Sequence, residues 1–355
     1  MNPKGVFVSG WVGYSSTLRH LESVPPLGSS PAPMLRACPG GAMKDATISV
    51  IIPCYNRAGM IGDAIQSSLD QTHSPSEVIV VDDGSTDDSL AVARSFGPPV
   101  RTLHQENAGP AAARNAGIEA ASGEFVAFLD SDDLWKPAKL ERQIELFEAM
   151  PHLAVVHTLV DWGDGFPSGH GPRVEASAHY PDENDDWARL FCSAVMYTPT
   201  VMVHRSVLRR TGRFDVDLQY WEDMNLWLRA AIHGPVGLVR ERLAILRRGP
   251  YPDGRSPLSM LPVYWYRSYA RALSVARSTL GSEEYRRCRA HLRDTLDRHM
   301  VGAHWDGNPK AVRRLCLPAM RHGPRRLKAL AYLVASILPQ GARDLLRSTG
   351  EGARS

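Results

Sequence analysis

The segment Glu124–Asp133, EFVAFLDSDD, decides the fold of this chain. Its residues 125–129 form a short, nearly unbroken apolar run, which is typical of a parallel strand buried on both faces. Three carboxylates, Asp130, Asp132 and Asp133, follow at once. Like charges at the end of a buried strand are unfavourable unless solvent or a cation compensates them, and a hard divalent ion with oxygen ligands would do so. The alternative is a solvated turn in which Asp132 or Asp133 caps the following helix.

Two earlier strands also end in polar clusters. Thr47–Ile52 is a β-branched run closed by Pro53, and the cluster Tyr55–Arg57 follows it. Glu77–Val81 runs directly into the pair Asp82-Asp83. The alternation of strands and helices predicts an α/β, Rossmann-like fold with a mostly parallel sheet and flanking helices. Because ligands bind beyond the carboxyl ends of parallel strands, we expect all three clusters to share one site.

Composition limits the classes of function. The formal net charge of +3 over 355 residues is too small to indicate a nucleic acid partner. The five cysteines are scattered without any C-x-x-C spacing, which argues against a disulfide framework or a zinc site and favours a cytoplasmic location. The sequence has no run of about 18 apolar residues, so we expect no membrane-spanning helix.

The two ends of the chain differ from its middle. Residues 1–44 are rich in Pro, Gly and Ser, which predicts a disordered leader. Residues 256–355 are expected to form a helical basic extension, with 15 Lys or Arg against 5 Asp or Glu from Arg286 onward. Within it, Leu327–Leu338 is apolar nearly all round. This segment suits a peripheral contact with an anionic membrane, at the cytoplasmic face of an inner membrane, and packing on its own domain or on a second subunit is an equal alternative.

Five motifs follow one another between Thr47 and Gly249. They are ISVIIPCYNR (Ile48–Arg57), VIVVDDGSTD (Val78–Asp87), NAGPAAARNAGI (Asn107–Ile118), FVAFLDSDDLW (Phe125–Trp135) and WEDMNLWLR (Trp221–Arg229). The series resembles the family 2 glycosyltransferases, whose fold is GT-A, and five motifs in order are far more specific than one. The resemblance implies a GT-A glycosyltransferase domain over residues 45–255.

The resemblance also implies which residues bind the donor, a nucleoside-diphosphate sugar. Asp83, with Asp82 beside it, corresponds to the carboxylate that holds the nucleotide base. Tyr55 and Arg57 lie where the first loop of the family wraps the base and ribose. Further candidate substrate-binding residues are Pro53, Asn107, Arg114, Asn115, Ser131 and Glu222.

The resemblance implies a metal site as well. Asp130 and Asp132 correspond to the D-x-D pair that holds the ribose and the metal-bound diphosphate, with Mg²⁺ or Mn²⁺ as the ion, and Asp133 is a third candidate. One departure concerns the segment Arg247-Arg248-Gly249-Pro250-Tyr251-Pro252. Many relatives carry a His in the segment that closes over the diphosphate, so closure here would depend on Arg247 or Arg248.

The general base implied by the resemblance is Asp223. Carboxylates in a first helical turn are also favoured by the helix dipole, so Glu222 and Asp223 have a structural explanation too. Neighbouring residues lie about 100° apart on a helix. We therefore expect one of the two carboxylates to face the donor and the other to face solvent or to cap the helix.

The chemistry implied is single-displacement transfer of a sugar to an acceptor hydroxyl, with inversion of the anomeric centre. The enzyme would be a metal-dependent glycosyltransferase of the hexosyltransferase type in cell-surface polysaccharide or glycoconjugate synthesis. Its acceptor could be a glycan, a lipid-linked oligosaccharide or a protein. The alternative is a catalytically inactive sugar-nucleotide-binding or membrane-associated scaffold of the same fold.

Overall fold

The computed structural model describes residues 45–163, 183–184, 187–193, 195–247, 261–322 and 326–342, and the predicted leader lies outside these ranges. A nine-stranded sheet forms the centre of the described part. The strands are β1 (Ile48–Cys54), β2 (Glu77–Asp82), β3 (Val100–His104), β4 (Phe125–Phe128), β5 (Leu134–Trp135), β6 (Val155–Trp162), β7 (Glu183–Asn184), β8 (Met202–His204) and β9 (Val236–Leu246).

Helices alternate with the first strands and then dominate the end of the chain. The first seven are α1 (Ile61–Leu69), α2 (Ser89–Arg94), α3 (Pro110–Ala120), α4 (Lys139–Ala149), α5 (Trp187–Ser193), α6 (Arg205–Thr211) and α7 (Glu222–Ala230). The last four are α8 (Leu261–Ala276), α9 (Ser282–Trp305), α10 (Pro309–His322) and α11 (Arg326–Ile337). A short 3₁₀ helix, Thr198–Thr200, precedes β8.

The parallel half of the sheet has the order β3-β2-β1-β4, with helices on both faces. Successive side chains of a strand point to opposite faces. Ile51 therefore packs with Ala113 of α3 in one core, and Val50 packs with Ile65 of α1 in another. Burial on both faces explains why these strands read as continuous apolar runs. The predicted α/β fold is confirmed here.

The other half of the sheet is mixed. Strand β8 pairs antiparallel with both β4 and β6, and β6 runs parallel to β9. The short strands β5 and β7 add antiparallel partners to β9. This arrangement returns the end of β9 to the turn that follows β4, so Leu134 lies opposite Ile245.

One predicted strand end is wrong. The strand that begins the domain does not stop at Ile52, because Pro53 lies opposite Val81 and Cys54 lies opposite Asp82. The carbonyl of Ile51 accepts from the amide of Leu129 on the β4 side, so the nitrogen of Pro53 faces that same side. Strand β4 has already ended there, and the missing N–H of proline costs no ladder bond.

The helical C-terminal region is present as expected, but it is not a separate body. Trp265 and Tyr269 of α8 and Leu292 of α9 share a core with residues of α3 and α7. A third core joins the rest of α9 to α10 and α11. Among the described helices, none combines the length and the hydropathy required to cross a bilayer.

The close approach of α3 to β1 yields a stability prediction. A Cβ atom at Gly117 would lie 2.4 Å from Cγ2 of Ile51, whereas one at Gly62 of α1 would lie 3.6 Å from Cγ1 of Val92. We expect Gly117→Ala to destabilise the protein by about 1–3 kcal/mol through overpacking. Gly62→Ala, the matched control, should be neutral or stabilise by up to about 1 kcal/mol. Thermal unfolding of both variants measures the difference, and equal melting temperatures would contradict the packing described.

Candidate active site

The three polar clusters meet at one edge of the sheet, as the sequence predicts. The guanidinium of Arg57 forms an ion pair with Asp132 at 3.3 Å, which joins the loop after β1 to the turn after β4. The backbone amide of Asn56 donates to Oγ of Ser85 at 3.0 Å. Oδ1 of Asn56 accepts from the amide of Thr86 at 2.8 Å, so the β1 and β2 loops are also tied together.

The paired carboxylates after β2 are used differently. Asp83 holds the loop after β3, because its two oxygens accept from the amides of Ala108 (2.9 Å) and Gly109 (2.8 Å) and from the side chain of Gln105 (2.7 Å). Oδ2 of Asp82 lies 2.7 Å from Nδ1 of His104. Oδ1 of Asp82 is buried without a hydrogen-bond partner in the described structure. Asp82 is thus almost fully enclosed by the protein and holds an unsatisfied acceptor.

The turn after β4 concentrates three carboxylates. Burial raises the pKa of Asp132, and the charge of Asp130 raises it further, while Arg57 opposes both effects. Burial, Asp130 and Asp132 raise the pKa of Asp133 well above its usual range. Oδ1 of Asp133 accepts from the amide of Arg247 at 2.8 Å. The turn therefore holds more negative charge than its protein partners compensate.

A buried arginine connects this turn to the start of α7. Nη2 of Arg114 donates to Asp130 at 2.7 Å, and Nη1 donates to Glu222 at 2.8 Å. Arg114 and Glu222 are both buried. The expectation that one carboxylate of the pair Glu222-Asp223 faces solvent or caps the helix is therefore wrong for Glu222. The ion pair with Arg114, 108 residues away in sequence, compensates its burial.

Asp223 lies beside Glu222 but has different partners. Oδ2 of Asp223 accepts from the hydroxyl of Thr198 at 3.0 Å, and Oδ1 accepts from the amide of Met224 at 2.7 Å. Burial raises the pKa of Asp223, against the lowering effects of Arg114 and these two hydrogen bonds. Burial, followed by the charge of Asp223, raises the pKa of Glu222 to about 7. A carboxylate with a raised pKa is a stronger base than usual.

Strained backbone at Trp221 positions both carboxylates. Trp221 has a φ of 63°, which is unfavourable for a residue with a Cβ atom, and it immediately precedes α7. The carbonyl of Trp221 accepts from the hydroxyl of Ser268 at 2.7 Å. The carbonyl of Ser268 in turn accepts from the side chain of Asn225 at 2.9 Å. Helix α8 thus holds the first turn of α7 in place.

Arg247 is bound to protein groups in this structure. Its Nε donates to the carbonyl of Asp132 at 2.7 Å, and its Nη1 pairs with Asp63 of α1 at 2.8 Å. A contact with a diphosphate would require Arg247 to exchange a partner, and the exposed Asp63 is the simplest one to release. Arg248 lies outside the described residues.

The remaining predicted residues fall into two groups. Tyr55, Asn107 and Ser131 lie on the loops that follow β1, β3 and β4, where Asn107 is exposed, whereas Pro53 lies within β1. Asn115 instead supports the protein. Its side-chain amide donates to the carbonyl of Phe214 at 2.9 Å, and its carbonyl oxygen accepts from the amide of Phe214 at 2.8 Å.

The residues present fit a divalent cation. No group of three or more His, Cys, Asp or Glu side chains is arranged to hold a metal in the part of the chain that the structure describes. Asp130 and Asp132 nevertheless supply hard oxygen donors on one turn, and burial with mutual repulsion raises the pKa of Asp132. A cation would relieve this repulsion. With only two protein ligands, the remaining positions would belong to water and to phosphate, as is common for Mg²⁺.

Sequence reasoning missed several residues of the site. Thr198, Asp63 and His104 each contact a candidate residue, and Ser268 contacts Trp221 next to one. None of them belongs to a motif. Only their proximity in the fold identifies them, although His104 could have been noted because it ends a strand beside Asp82.

The chain was compared with known sequences. The family model described as "Glycosyl transferase family 2" matches residues 49–212. An uncharacterised glycosyltransferase of Nostoc sp. is 37% identical over 210 residues, which is 56% of this chain and 64% of that protein. A Rickettsia conorii relative of the same description is 32% identical, and the chain spans 33% of its length. A Bacillus subtilis glycosyltransferase, named for a proposed part in teichuronic acid biosynthesis, is 46% identical over 51% of this chain and 70% of its own.

Solved structures share the fold. S. aureus TarS 1-349 in complex with UDP-GlcNAc has a TM-score of 0.66 at 20% identity, covering 85% of this chain and 92% of that one. The mannosyltransferase PcManGT from Pyrobaculum calidifontis, in complex with GDP-Man and Mn²⁺, has a TM-score of 0.52 at 19% identity, covering 84% and 83%. At these identities the likeness concerns the fold alone, and it confirms the GT-A prediction. Together with the Bacillus subtilis relative, the motifs and the family match show that the chain belongs to glycosyl transferase family 2.

Proposed function

We propose that the protein is an inverting, metal-dependent glycosyltransferase of the hexosyltransferase type. It would move a sugar from a nucleoside diphosphate to an acceptor hydroxyl in cell-surface polysaccharide or glycoconjugate synthesis. The observation that carries the proposal is the Arg114 bridge. One buried guanidinium holds both Asp130, on the predicted diphosphate turn, and Glu222, next to the predicted base. The donor end and the base end of the site are therefore fixed to each other.

In this proposal the first two loops bind the nucleotide. Asp82 and Asp83 would lie at the base, and contact of Oδ1 of Asp82 with it would require this buried, unpartnered oxygen to become accessible. Asp83 shapes the pocket by holding the loop after β3, where Asn107 is exposed. Tyr55, half-buried on the loop after β1, would contact the base or the ribose. Two relatives of known structure were solved with UDP-GlcNAc and with GDP-Man, which supports a nucleotide sugar without selecting one.

Asp130 and Asp132 would hold the cation and, through it, the diphosphate. Mg²⁺ or Mn²⁺, when bound, supplies charge neutralisation for the leaving nucleoside diphosphate. Ion pairs orient the two carboxylates, Asp132 with Arg57 at 3.3 Å and Asp130 with Arg114 at 2.7 Å. Arg247, with Arg248 as the second candidate, would approach the diphosphate from the end of β9.

Asp223 would accept the proton of the acceptor hydroxyl. Its hydrogen bonds from Thr198 and Met224 fix the orientation of the carboxylate and leave acceptor capacity on both oxygens. A hydroxyl is a poor nucleophile, and general base catalysis is typically worth about 10²- to 10⁴-fold. Direct attack on the anomeric carbon inverts its configuration.

We further propose that residues 45–255 form the catalytic domain and that residues 256–355 form an extension that supports it. The contacts from Ser268 to Trp221 and Asn225 favour a supporting role. The Bacillus subtilis relative is named for teichuronic acid biosynthesis, which favours a cell-surface polymer as the product. A cytoplasmic location agrees with five cysteines without disulfide spacing.

The test is a panel of donors. Purified protein is incubated with UDP-, GDP- and dTDP-sugars, with Mn²⁺ or Mg²⁺, and the released nucleoside diphosphate is measured. We expect release from one class of donor, loss of release in EDTA, and recovery when the metal is restored. Donor binding without release, even with added acceptors, would favour the inactive scaffold. Neither binding nor release with any donor would contradict the proposed function.

A further inference from the structure

Helices α10 and α11 present large apolar side chains to solvent. Leu330, Val334 and Ile337 are 44%, 51% and 67% exposed, and their spacing of i, i+4 and i+7 places them on one face of α11. Leu317 of α10 is 63% exposed. Within the described ranges, these are four of the six exposed large hydrophobic residues, the others being Val216 and Val275. The exposed apolar surface is therefore concentrated on this pair of helices.

Helix α11 is only partly covered by the rest of the protein. Ala329, Tyr332 and Leu333 pack against the third core, and Ala335 and Ser336 are also buried. The branched side chains of Leu330, Val334 and Ile337 stay exposed. Scattered exposed apolar residues need no explanation, whereas a continuous stripe on one helix face indicates an apolar partner.

The charge around this stripe has one sign. Residues 309–342 contain seven Lys or Arg and no Asp or Glu. Lys310, Arg313 and Arg314 are exposed on α10. Nη1 of Arg313 donates to the carbonyl of Ser336 at 3.2 Å, so the basic face of α10 lies beside the end of α11 where Ile337 is exposed. Apolar side chains and cations thus occupy adjoining positions.

We propose that α10 and α11 form a membrane-docking surface that lies flat on an anionic lipid bilayer. The stripe would enter the boundary between headgroups and acyl chains, and the basic residues would contact anionic headgroups. At 1.5 Å per residue, the 12 residues of α11 reach about 18 Å, which is too short for the hydrocarbon core. A symmetric contact between two copies would bring together two pairs of helices that carry Lys and Arg without Asp or Glu, so charge favours the lipid.

The test is co-sedimentation with vesicles of phosphatidylcholine, alone or with phosphatidylglycerol at about a third of the lipid. We expect the full chain to sediment with the anionic vesicles only, and to be released by high salt because salt screens exposed charges. The triple variant Leu330→Ser, Val334→Ser, Ile337→Ser should bind at least about tenfold more weakly. Lys310→Gln with Arg314→Gln removes two cations and should weaken binding by about 30-fold.

Matched controls test whether binding depends on this surface or on exposed apolar and basic side chains anywhere on the protein. Val216→Ser with Val275→Ser removes two equally exposed apolar side chains elsewhere. Arg209→Gln with Arg210→Gln removes two exposed cations of α6. Both controls should bind the anionic vesicles like the unchanged protein. Circular dichroism verifies that every variant is folded.

Three outcomes would overturn the proposal. The first is that the unchanged protein does not sediment with anionic vesicles. The second is that the control variants lose as much binding as the surface variants. The third, seen by sedimentation velocity without lipid, is that the serine variants convert a dimer to a monomer while vesicle binding is unchanged, which would make the surface a subunit interface. The test does not measure donor hydrolysis. Failure of the membrane-docking proposal is therefore independent of failure of the proposed function.

Discussion

Asp223→Asn is expected to lower the rate of sugar transfer by about 10²-fold or more while donor Kd stays within a few-fold. The substitution preserves shape, and the remaining carbonyl oxygen can still accept from the amide of Met224. The new amide can donate to the hydroxyl of Thr198, which rotates to accept it. What is lost is the basicity of the proposed general base. The measurement is the transfer rate together with donor Kd by calorimetry.

Glu222→Gln is the matched control, since it makes the same chemical change one residue away. Glu222 is bound by Arg114, which also binds Asp130, so the control should disturb the predicted diphosphate turn rather than the base. We expect a weaker donor affinity and a smaller loss of turnover. If Glu222→Gln abolishes transfer and Asp223→Asn does not, the roles are reversed. If both variants lose donor binding, the pair is structural.

The meeting of the polar loops could be predicted from the sequence because it depends on a general rule. Asp83 and Asp130 each come at the end of an apolar run that predicts a strand. Because parallel strands end at the same edge of a sheet, these residues are expected at one edge without any knowledge of side-chain positions. The contact of Arg57 with Asp132, 75 residues apart, is a consequence of that edge. The parallel half of the fold was predictable for the same reason.

The buried bridge could not be predicted from the same reasoning. Arg114 lies on α3, a helix of small residues whose spacing predicts only close packing. Its two partners lie on the turn after β4 and at the start of α7. The expectation that Glu222 faces solvent or caps the helix was wrong. Two neighbouring carboxylates that point in different directions from a helix can both be buried when each finds a partner, and Glu222 finds Arg114. Thr198 and Ser268 are ordinary residues in sequence, and only the register of distant elements brings them to Asp223 and Trp221.

The second large effect concerns the carboxylate turn. Asp132→Asn is expected to reduce turnover by several orders of magnitude and to weaken Mn²⁺-dependent donor binding, because Asp132 is one of two predicted metal ligands. The fold should survive. Asp132 loses the ion pair with Arg57, but the substitution also removes repulsion from Asp130 and the cost of a buried charge, both of which raise the pKa of Asp132.

The stability of Asp132→Asn distinguishes the loss of a metal ligand from destabilisation of the fold. A raised pKa means that the folded state holds its proton at a pH where the unfolded state has lost it, so Asp132 destabilises the fold as pH rises above the ordinary value of 3.8. Asp132→Asn should therefore melt at the same or a higher temperature than the unchanged protein at neutral pH.

Asp133→Asn is the matched control. It relieves similar repulsion at a carboxylate that is bound to the amide of Arg247, and it should keep Mn²⁺-dependent binding. Full activity of Asp132→Asn, or full activity of the unchanged protein in excess EDTA, would contradict the metal assignment, because the proposal makes Asp132 a ligand of the cation that offsets the negative charge of the diphosphate.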